Sequence, residues 1–439
     1  MSTTRRSFLK ESSLGLAGAA TLAMARPARA VSSSEKLIVG AIGCGGRGSF
    51  LATSFAGQPD VEIAWVCDPD DERAARCAES IRAAKGNKPK TVRDLREVLD
   101  DKAVDAVTIG TPDHWHGPAT LLALEAGKHV YVEKPCSHNI REGRLMIDAA
   151  RRHKKVVQTG TQTRAAESAK RAMQLLHEGA IGDVLVAKVW NSQLRGNIGK
   201  AAASEPPAGF DYDLWLGPIP HVPFQVNRHH YTWHWWYATG TGDMGNDGVH
   251  DLDVGRWGLG VETHPSTIAA IGGKYVFDDD QQFPDTQSVI FEWPGDGKVG
   301  SRRQLIFEMR IWAPYREQGY ENGNAFYGTK GMMLFGKGDG WKLFGPRNKL
   351  IEESPASERE SAHQRSFVEC IKDSDHPRPT ADIKIGHYSA ALCHLGNIAC
   401  RVGPRLTFDP VKEAIIGFDE ANALCSREYR EGHWAAPKA

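Results

Sequence analysis

Residues 37–48 constrain this chain more than any other stretch. Leu37-Ile38-Val39-Gly40-Ala41-Ile42 is an unbroken apolar run. A continuous run, rather than an alternating one, suits a parallel strand buried on both faces. It ends in Gly43-Cys44-Gly45-Gly46-Arg47-Gly48, a G-x-G-x-x-G spacing with a helix-compatible stretch behind it. In that context each glycine has a task. Gly43 permits the tight turn, Gly45 lets a pyrophosphate approach the backbone, and Gly48 lets the next helix pack on the strand. The phosphates would rest on the helix N-terminus, beside Gly46 and Arg47.

The pattern then repeats. A second strand, Val61–Val66, leads into Cys67-Asp68. Asp68 stands 20 residues past Gly48, where an acidic side chain accepts hydrogen bonds from ribose hydroxyls. A carboxylate there repels a 2′-phosphate, so NAD is the favoured cofactor. Arg73 offers such a phosphate a partner, which keeps NADP as the alternative. A third strand, Val104–Ile109, ends in Gly110-Thr111-Pro112-Asp113-His114-Trp115-His116, and the spacing predicts a helix over Ala119–Ala126 closed by Gly127. Lys128–Val132 is a further strand, followed by Glu133-Lys134-Pro135. Residues just past strand C-termini line the ligand crevice of a doubly wound sheet, and both segments fall there.

These residues resemble the Gfo/Idh/MocA oxidoreductases, the family of glucose–fructose oxidoreductase and inositol dehydrogenase. The resemblance rests on Gly43-x-Gly45-x-x-Gly48, on Thr111-Pro112 with His116, and on Ala126-Gly127-Lys128-His129-Val130-x-x-Glu133-Lys134-Pro135. It implies a Rossmann domain holding NAD, with Thr111, Pro112, His116 and Glu133 along the cofactor. It also implies that Lys134 contacts the reacting hydroxyl beside the nicotinamide and that the Lys134–Pro135 bond is cis.

The fold expected is an α/β Rossmann domain over 36–160 and an α+β domain with a mostly antiparallel sheet over 161–439. Glu167–Glu178 reads as a helix stopped by Gly179. Val184–Trp190, Ser288–Trp293 and Gln304–Ile311 alternate as half-buried strands do. Helices are expected from Ala362 through Cys370 and over Ile385–Cys400.

Between these elements lies His229-His230-Tyr231-Thr232-Trp233-His234-Trp235-Trp236-Tyr237, and then Asp243-Met244-Gly245-Asn246-Asp247-Gly248-Val249-His250-Asp251-Leu252-Asp253. Members of the family carry an Asp, a Gly two residues on, a His four on and an Asp seven on. Gly248, His250 and Asp253 match, and Asn246 stands where the first Asp would be. An amide takes no proton, so His250 lacks the expected carboxylate at that position. Removing hydride from a carbinol carbon requires a base for the hydroxyl proton, and the candidates are His250 and Lys134. Trp235, Asn246 and Asp247 are candidate substrate contacts. The aromatic run suits either stacking on a sugar face or a buried core. His114/His116 and His229/His230/His234 are dense but lack an established ligand spacing, so no metal is expected.

Lys+Arg and Asp+Glu balance at 54 each, which excludes a polyanion such as nucleic acid as the main partner. Residues 1–30 read as a twin-arginine address: Thr4-Arg5-Arg6-Ser7-Phe8-Leu9-Lys10, a weakly apolar stretch, and Ala28-Arg29-Ala30. No later segment is apolar enough to anchor the protein in a membrane. The eight cysteines show no paired metal spacing, and no disulfide is assignable from the sequence. Export to the periplasm would separate the enzyme from the nicotinamide pool, so a tightly held NAD(H), recycled within each cycle, is expected. The function anticipated is hydride transfer at a carbinol carbon of a sugar, polyol or glycoside. Glycoside cleavage through transient oxidation and elimination is one alternative, and a nucleotide-retaining binding protein without turnover is another. The C-terminal sheet is the expected surface of a homo-oligomer.

Overall fold

The computed structural model describes residues 36–373 and 378–438. The twin-arginine segment lies outside them. Six strands form the first sheet: β1 (Leu37–Ile42), β2 (Val61–Cys67), β3 (Lys90–Val92), β4 (Ala106–Ile109), β5 (His129–Val132) and β6 (Val157–Thr159). All pair in parallel, in the order β3-β2-β1-β4-β5-β6. The order reverses between β1 and β4, so a crevice opens past their C-terminal ends. Five helices cover the sheet: α1 (Gly46–Ala56), α2 (Asp71–Lys85), α3 (Leu95–Asp100), α4 (Asp113–Glu125) and α5 (Ile140–Arg152).

Helix α4 begins at Asp113, six residues before the start the sequence predicts. Pro118 suggests a break, because it cannot donate to the carbonyl four residues back. That carbonyl belongs to His114, and Arg427 supplies the missing donor through Nη2 at 2.6 Å. The helix therefore runs through its proline, and Asp113 to His116 form its first turn.

The second half opens with α6 (Glu167–His177), β7 (Val184–Asn191), α7 (Tyr212–Leu216) and α8 (Val249–Gly258). Then come β8 (Thr267–Gly273), β9 (Thr286–Trp293), β10 (Arg303–Arg310), β11 (Asn322–Gly328), β12 (Met332–Gly336), β13 (Gly340–Gly345) and β14 (Lys349–Ser354). Helices α9 (Glu360–Lys372) and α10 (Ile383–Val402), strands β15 (Leu406–Asp409) and β16 (Ala414–Ile416), and the short α11 (Asp419–Ala423) complete it. Ten strands form one sheet, β14-β13-β12-β11-β7-β10-β9-β8-β15-β16. Every neighbouring pair is antiparallel except β7 and β10. On β9, Gln287, Val289, Phe291 and Trp293 are buried while Ser288 and Ile290 are exposed, the alternation of a sheet with one covered face. Helices α8 and α10 pack on the covered face.

One helix joins the halves, and one buried ion pair fixes α8 within the second. Helix α9 returns to the first sheet, where Phe367 stands edge-on to Phe55 and Tyr131 at 5.9 Å from each. Arg164 forms a buried, bidentate ion pair with Asp253 of α8, at 2.7 and 2.9 Å. All eight cysteines are free thiols. Among the described residues no helix is long and apolar enough to cross a membrane.

Candidate active site

A cavity of about 540 Å³ runs from the glycine turn to the start of α8. At one end the chain after β1 turns through Gly43 at φ +83°, and a side chain there would meet Thr111 N at 2.6 Å. A Cβ on Gly48 would lie 1.9 Å from Gly43 O, so only glycine lets α1 pack this close. At Gly46 a Cβ would meet nothing within 4 Å, because the residue borders the cavity. No side chain caps α1. Its first N–H groups thus lack intrahelical acceptors and suit an anion. These groups suit a dinucleotide, whose pyrophosphate Gly45, Gly46 and Arg47 would hold.

Asp68 lies beside the turn. Its carboxylate accepts from Cys44 N at 2.6 Å and Asp70 N at 2.9 Å, so it braces the glycine loop as well as lining the cavity. Burial pushes its carboxyl up to about 6, against those two N–H groups. Arg73 also lines the wall, its guanidinium 2.9 Å from where a Cβ on Gly45 would stand. Tyr231, Trp233 and His234 close the cavity from the second half, and Trp215 and Trp434 line it as well.

Thr111 and Pro112 border the cavity where α4 begins. His116 bridges Thr111 O at 3.0 Å and Pro135 O at 2.6 Å, tying this turn to the segment after β5. There the Lys134–Pro135 bond is cis. Glu133 is buried. Burial would raise its carboxyl, but the Arg47 guanidinium at 2.7 Å and the Lys134 ammonium hold it below its ordinary value. Arg47 pairs in addition with Glu360 at 3.1 Å. Lys134 extends into the cavity and donates through Nζ to the Asn246 carbonyl.

The helix entering α8 is wide: Met244–Gly248 form a π-helical turn. This turn changes the expected pairing. Asn246 turns its amide away from His250, donating to Asp243 Oδ1 at 3.0 Å and to the Tyr231 hydroxyl at 3.4 Å. Asp247 is the carboxylate beside His250, and each shifts the other's titration. Lys337, from the loop after β12, reaches Asp247 Oδ1 at 2.7 Å. Burial would raise the Asp247 carboxyl, but Lys337 and His250 hold it well below its ordinary range. Burial holds His250 well below the usual imidazole value, and the ammoniums of Lys337 and Lys134 add to this. A neutral imidazole can accept a proton from a hydroxyl placed between it and Lys134.

Trp235 is not part of this wall. Its ring is buried in the core of the second half with Met244 and Ile311. The short 3₁₀ turn Thr232–Trp235 points Trp233 and His234 into the cavity instead. His114 is buried against the backbone, with Nε2 2.9 Å from Trp215 O. Sequence reasoning missed Lys337, Arg359, Glu360 and Gln162, all on the cavity wall. None carries a local signature. Two further groups gather ligand-type atoms within 4.8 Å: Asp70, His229 and His230, and His264, His387 and Glu413. In the first, His230 Nε2 donates to Asp70 Oδ2 at 3.0 Å. In the second, both imidazoles meet Glu413 at 2.8 Å, and Arg144 completes an ion pair with it.

This arrangement defines a dinucleotide-dependent oxidoreductase: a parallel sheet with a phosphate cradle, a cavity shared with a second domain, and a lysine facing a neutral histidine. Residues 37–161 match the family model "Oxidoreductase family, NAD-binding Rossmann fold". Residues 184–288 and 344–435 match "Oxidoreductase family, C-terminal alpha/beta domain". The chain belongs to the Gfo/Idh/MocA oxidoreductase family. It is 31% identical over 202 residues to the alpha-N-acetylgalactosaminidase of Shewanella oneidensis, covering 41% of this chain and 44% of that one. A glycosyl hydrolase family 109 protein of Saccharopolyspora erythraea is 29% identical over 202 residues, 42% of this chain and 44% of the relative. The match thus spans less than half the length of these curated relatives. The fold is shared with aldose-aldose oxidoreductase from Caulobacter crescentus, with a TM-score of 0.65 and 17% identity, over 85% of this chain and 100% of that one. It is shared also with levoglucosan dehydrogenase, with a TM-score of 0.63 and 18% identity, over 85% and 99%.

Proposed function

We propose that this protein oxidises a sugar, polyol or glycoside at a carbinol carbon, with NAD as hydride acceptor and NADP as the alternative. One observation carries the reading: the glycine cradle, Lys134 and His250 all line one cavity. Held through its pyrophosphate by Gly45, Gly46 and Arg47, a dinucleotide would supply a hydride acceptor at the nicotinamide C4. The chain's own residues do the rest. Lys134 orients the substrate hydroxyl, anchored through the Asn246 carbonyl. Neutral His250, beside Asp247, takes the hydroxyl proton. Tyr231, Trp233 and His234 exclude water and offer faces to a sugar ring.

A second reading has its own support. The curated relatives include an alpha-N-acetylgalactosaminidase. Glycoside cleavage would use the same proton acceptor: oxidation next to a C–H bond acidifies it, elimination expels the aglycone, water adds across the resulting double bond, and re-reduction of the ketone restores the cofactor. Such a cycle suits export through the twin-arginine segment, where no nicotinamide pool would recycle a free cofactor. Assembly into a homo-oligomer through the open face of the ten-stranded sheet belongs to the same proposal.

Mass spectrometry of molecules released from the purified protein, with turnover on a panel of sugars and aryl glycosides, tests both readings. NAD(H) and activity are expected, with Lys134→Met keeping the cofactor and losing about a hundredfold or more in kcat. A cofactor-loaded protein inert on the whole panel would leave a binding protein. Near-wild-type turnover in Lys134→Met would sink the assignment of the reacting hydroxyl.

A further inference from the structure

Behind the cavity wall lies a carboxylate to which the reaction above gives no task. Asp251 follows Asp247 by one turn of α8 and is wholly buried. Neither of its oxygens has a hydrogen-bond partner among the described residues. Native proteins rarely leave a buried carboxylate so unsatisfied. Its nearest cation is Lys337, with Nζ 3.7 Å from Asp251 Oδ2. The same Nζ lies 2.7 Å from Asp247 Oδ1, and Lys337 lines the cavity. One ammonium thus borders both the cavity and the hidden acid.

We propose that Asp251 is the proton store of this site, exchanging a proton with the cavity through the Lys337 ammonium. The proposal rests on the oxidoreductase reading. As the carbinol is oxidised, hydride carries both electrons to the nicotinamide, and the hydroxyl proton passes to the base that faces it. Lys337 hands one N–H proton to the Asp251 carboxylate and is reprotonated by the His250 imidazolium, which returns to its neutral form. Along this relay one proton is transferred and no electrons are. In a cycle that re-reduces the substrate, the stored proton returns by the reverse path and none need be drawn from bulk water.

The surroundings suit a group that changes charge near neutrality. Burial pushes the Asp251 carboxyl up to about 7, Lys337 and Arg359 oppose that, and Asp247 adds to it. Arg359 faces it from the segment before α9, braced by its bond to the Lys337 carbonyl at 2.8 Å. Along its own chain Asp247, in the turn just before α8, acts on it, and His250 is its neighbour in sequence. From β11 an uncharged side chain, Asn324, buried and also without a partner for its amide, packs against the same helix at Gly255.

Infrared titration of the cofactor-loaded protein, taken as wild type minus Asp251→Asn, reads this carboxyl without any turnover. A protonated-carboxyl band that titrates near pH 7 is expected, moved to higher pH in Lys337→Met and kept near its place in Lys337→Arg. A carboxyl that titrates in the ordinary range near pH 4, or a band indifferent to Lys337→Met, overturns the proposal. The second arm is kcat against pH on the substrate that the panel identifies. The limb near pH 7 should vanish in Asp251→Asn, with Lys337→Arg retaining it; an unchanged profile in Asp251→Asn overturns the storage role. Asp251 titrating near pH 7 in a protein without turnover would instead overturn the oxidoreductase reading, and the store with it.

Discussion

Asn246 shows how far a single position can be read from its neighbours in sequence. Counting back from His250 by the turn of a regular helix lands on it, so it stands where a carboxylate is expected. Across the π-helical turn at Met244–Gly248 that count fails, and the carboxylate that interacts with His250 is Asp247, three residues back rather than four. Asn246 has other work: its carbonyl anchors Lys134, and its amide donates to Asp243. Asn246→Asp would therefore set a second carboxylate about 3 Å from Asp243 Oδ1 rather than rebuild a histidine pair. Burial already raises the Asp243 carboxyl, against Arg195. The variant should lose stability, and more at pH 8 than at pH 5, because like charges at this distance cannot both ionise cheaply. Thermal unfolding at the two pH values checks it; an equal loss at both would show that the carboxylates do not face each other.

Helix α8 is the element on which the reacting end depends, since it carries Asp247, His250 and Asp251 on or just before its first turn. Its side away from the cavity is pinned by Arg164, whose guanidinium forks onto Asp253. Ser389 of α10 adds a hydrogen bond to the same carboxylate at 2.6 Å. Removing one partner of a buried ion pair strands the other. Arg164→Met should thus cost about 3–5 kcal/mol, read as a drop in the urea midpoint at unchanged slope. A cost below about 1 kcal/mol would mean that Asp253 finds another partner. The Rossmann strands and glycine turn were legible because their signals are local: apolar runs and fixed glycine spacings. Lys337 and Arg359 were not legible. Lys337 stands 90 residues from Asp247, and only the packing of β12 beside β11 and β7 brings its loop to the start of α8. Which aromatics of residues 229–237 face the cavity was equally hidden, because a 3₁₀ turn decides it. Trp235 went to the core for that reason.

At the scale of the whole molecule, buried histidines set the response to acid. His114 and His394 are held down at about 3, and His264 and His363 at about 4, in each case first by burial. Unfolded, each returns to about 6.5. Between about pH 4 and 6.5 the unfolded chain then binds more protons than the native one at these four sites. Their stabilisation is whole above pH 6.5 and lost as pH falls, by about 1.4 kcal/mol per pH unit for each histidine. Asp68 and Asp251, raised to about 6 and 7, act in the opposite sense, since their native forms hold protons that the unfolded chain has released. Burial raises Asp113 and Asp243 as well, but it also holds down His129, His138, His229, His234 and His250, so the histidines outnumber these acids and stability should fall from pH 6.5 to pH 5. Urea unfolding across that window tests it; a midpoint that stays level or rises would contradict the balance.

The cavity wall has a schedule as well as a shape. Trp434 lines it beside Trp115, at 5.9 Å, and sits over the Arg96 guanidinium at 4.3 Å. Arg427 meets the His114 carbonyl, Arg430 pairs with Asp213 at 2.6 Å, and Tyr429 donates to Glu142 at 2.7 Å. The segment thus clasps α4, α5 and α7 together. On the ribosome the glycine turn emerges almost four hundred residues before this clasp. The strands of the nascent Rossmann half can all have emerged while its binding cleft still lacks a side, and the cleft gains that side only when residues 427–434 arrive. A nucleotide captured early would be held by an open hand, and one captured late by a closed one.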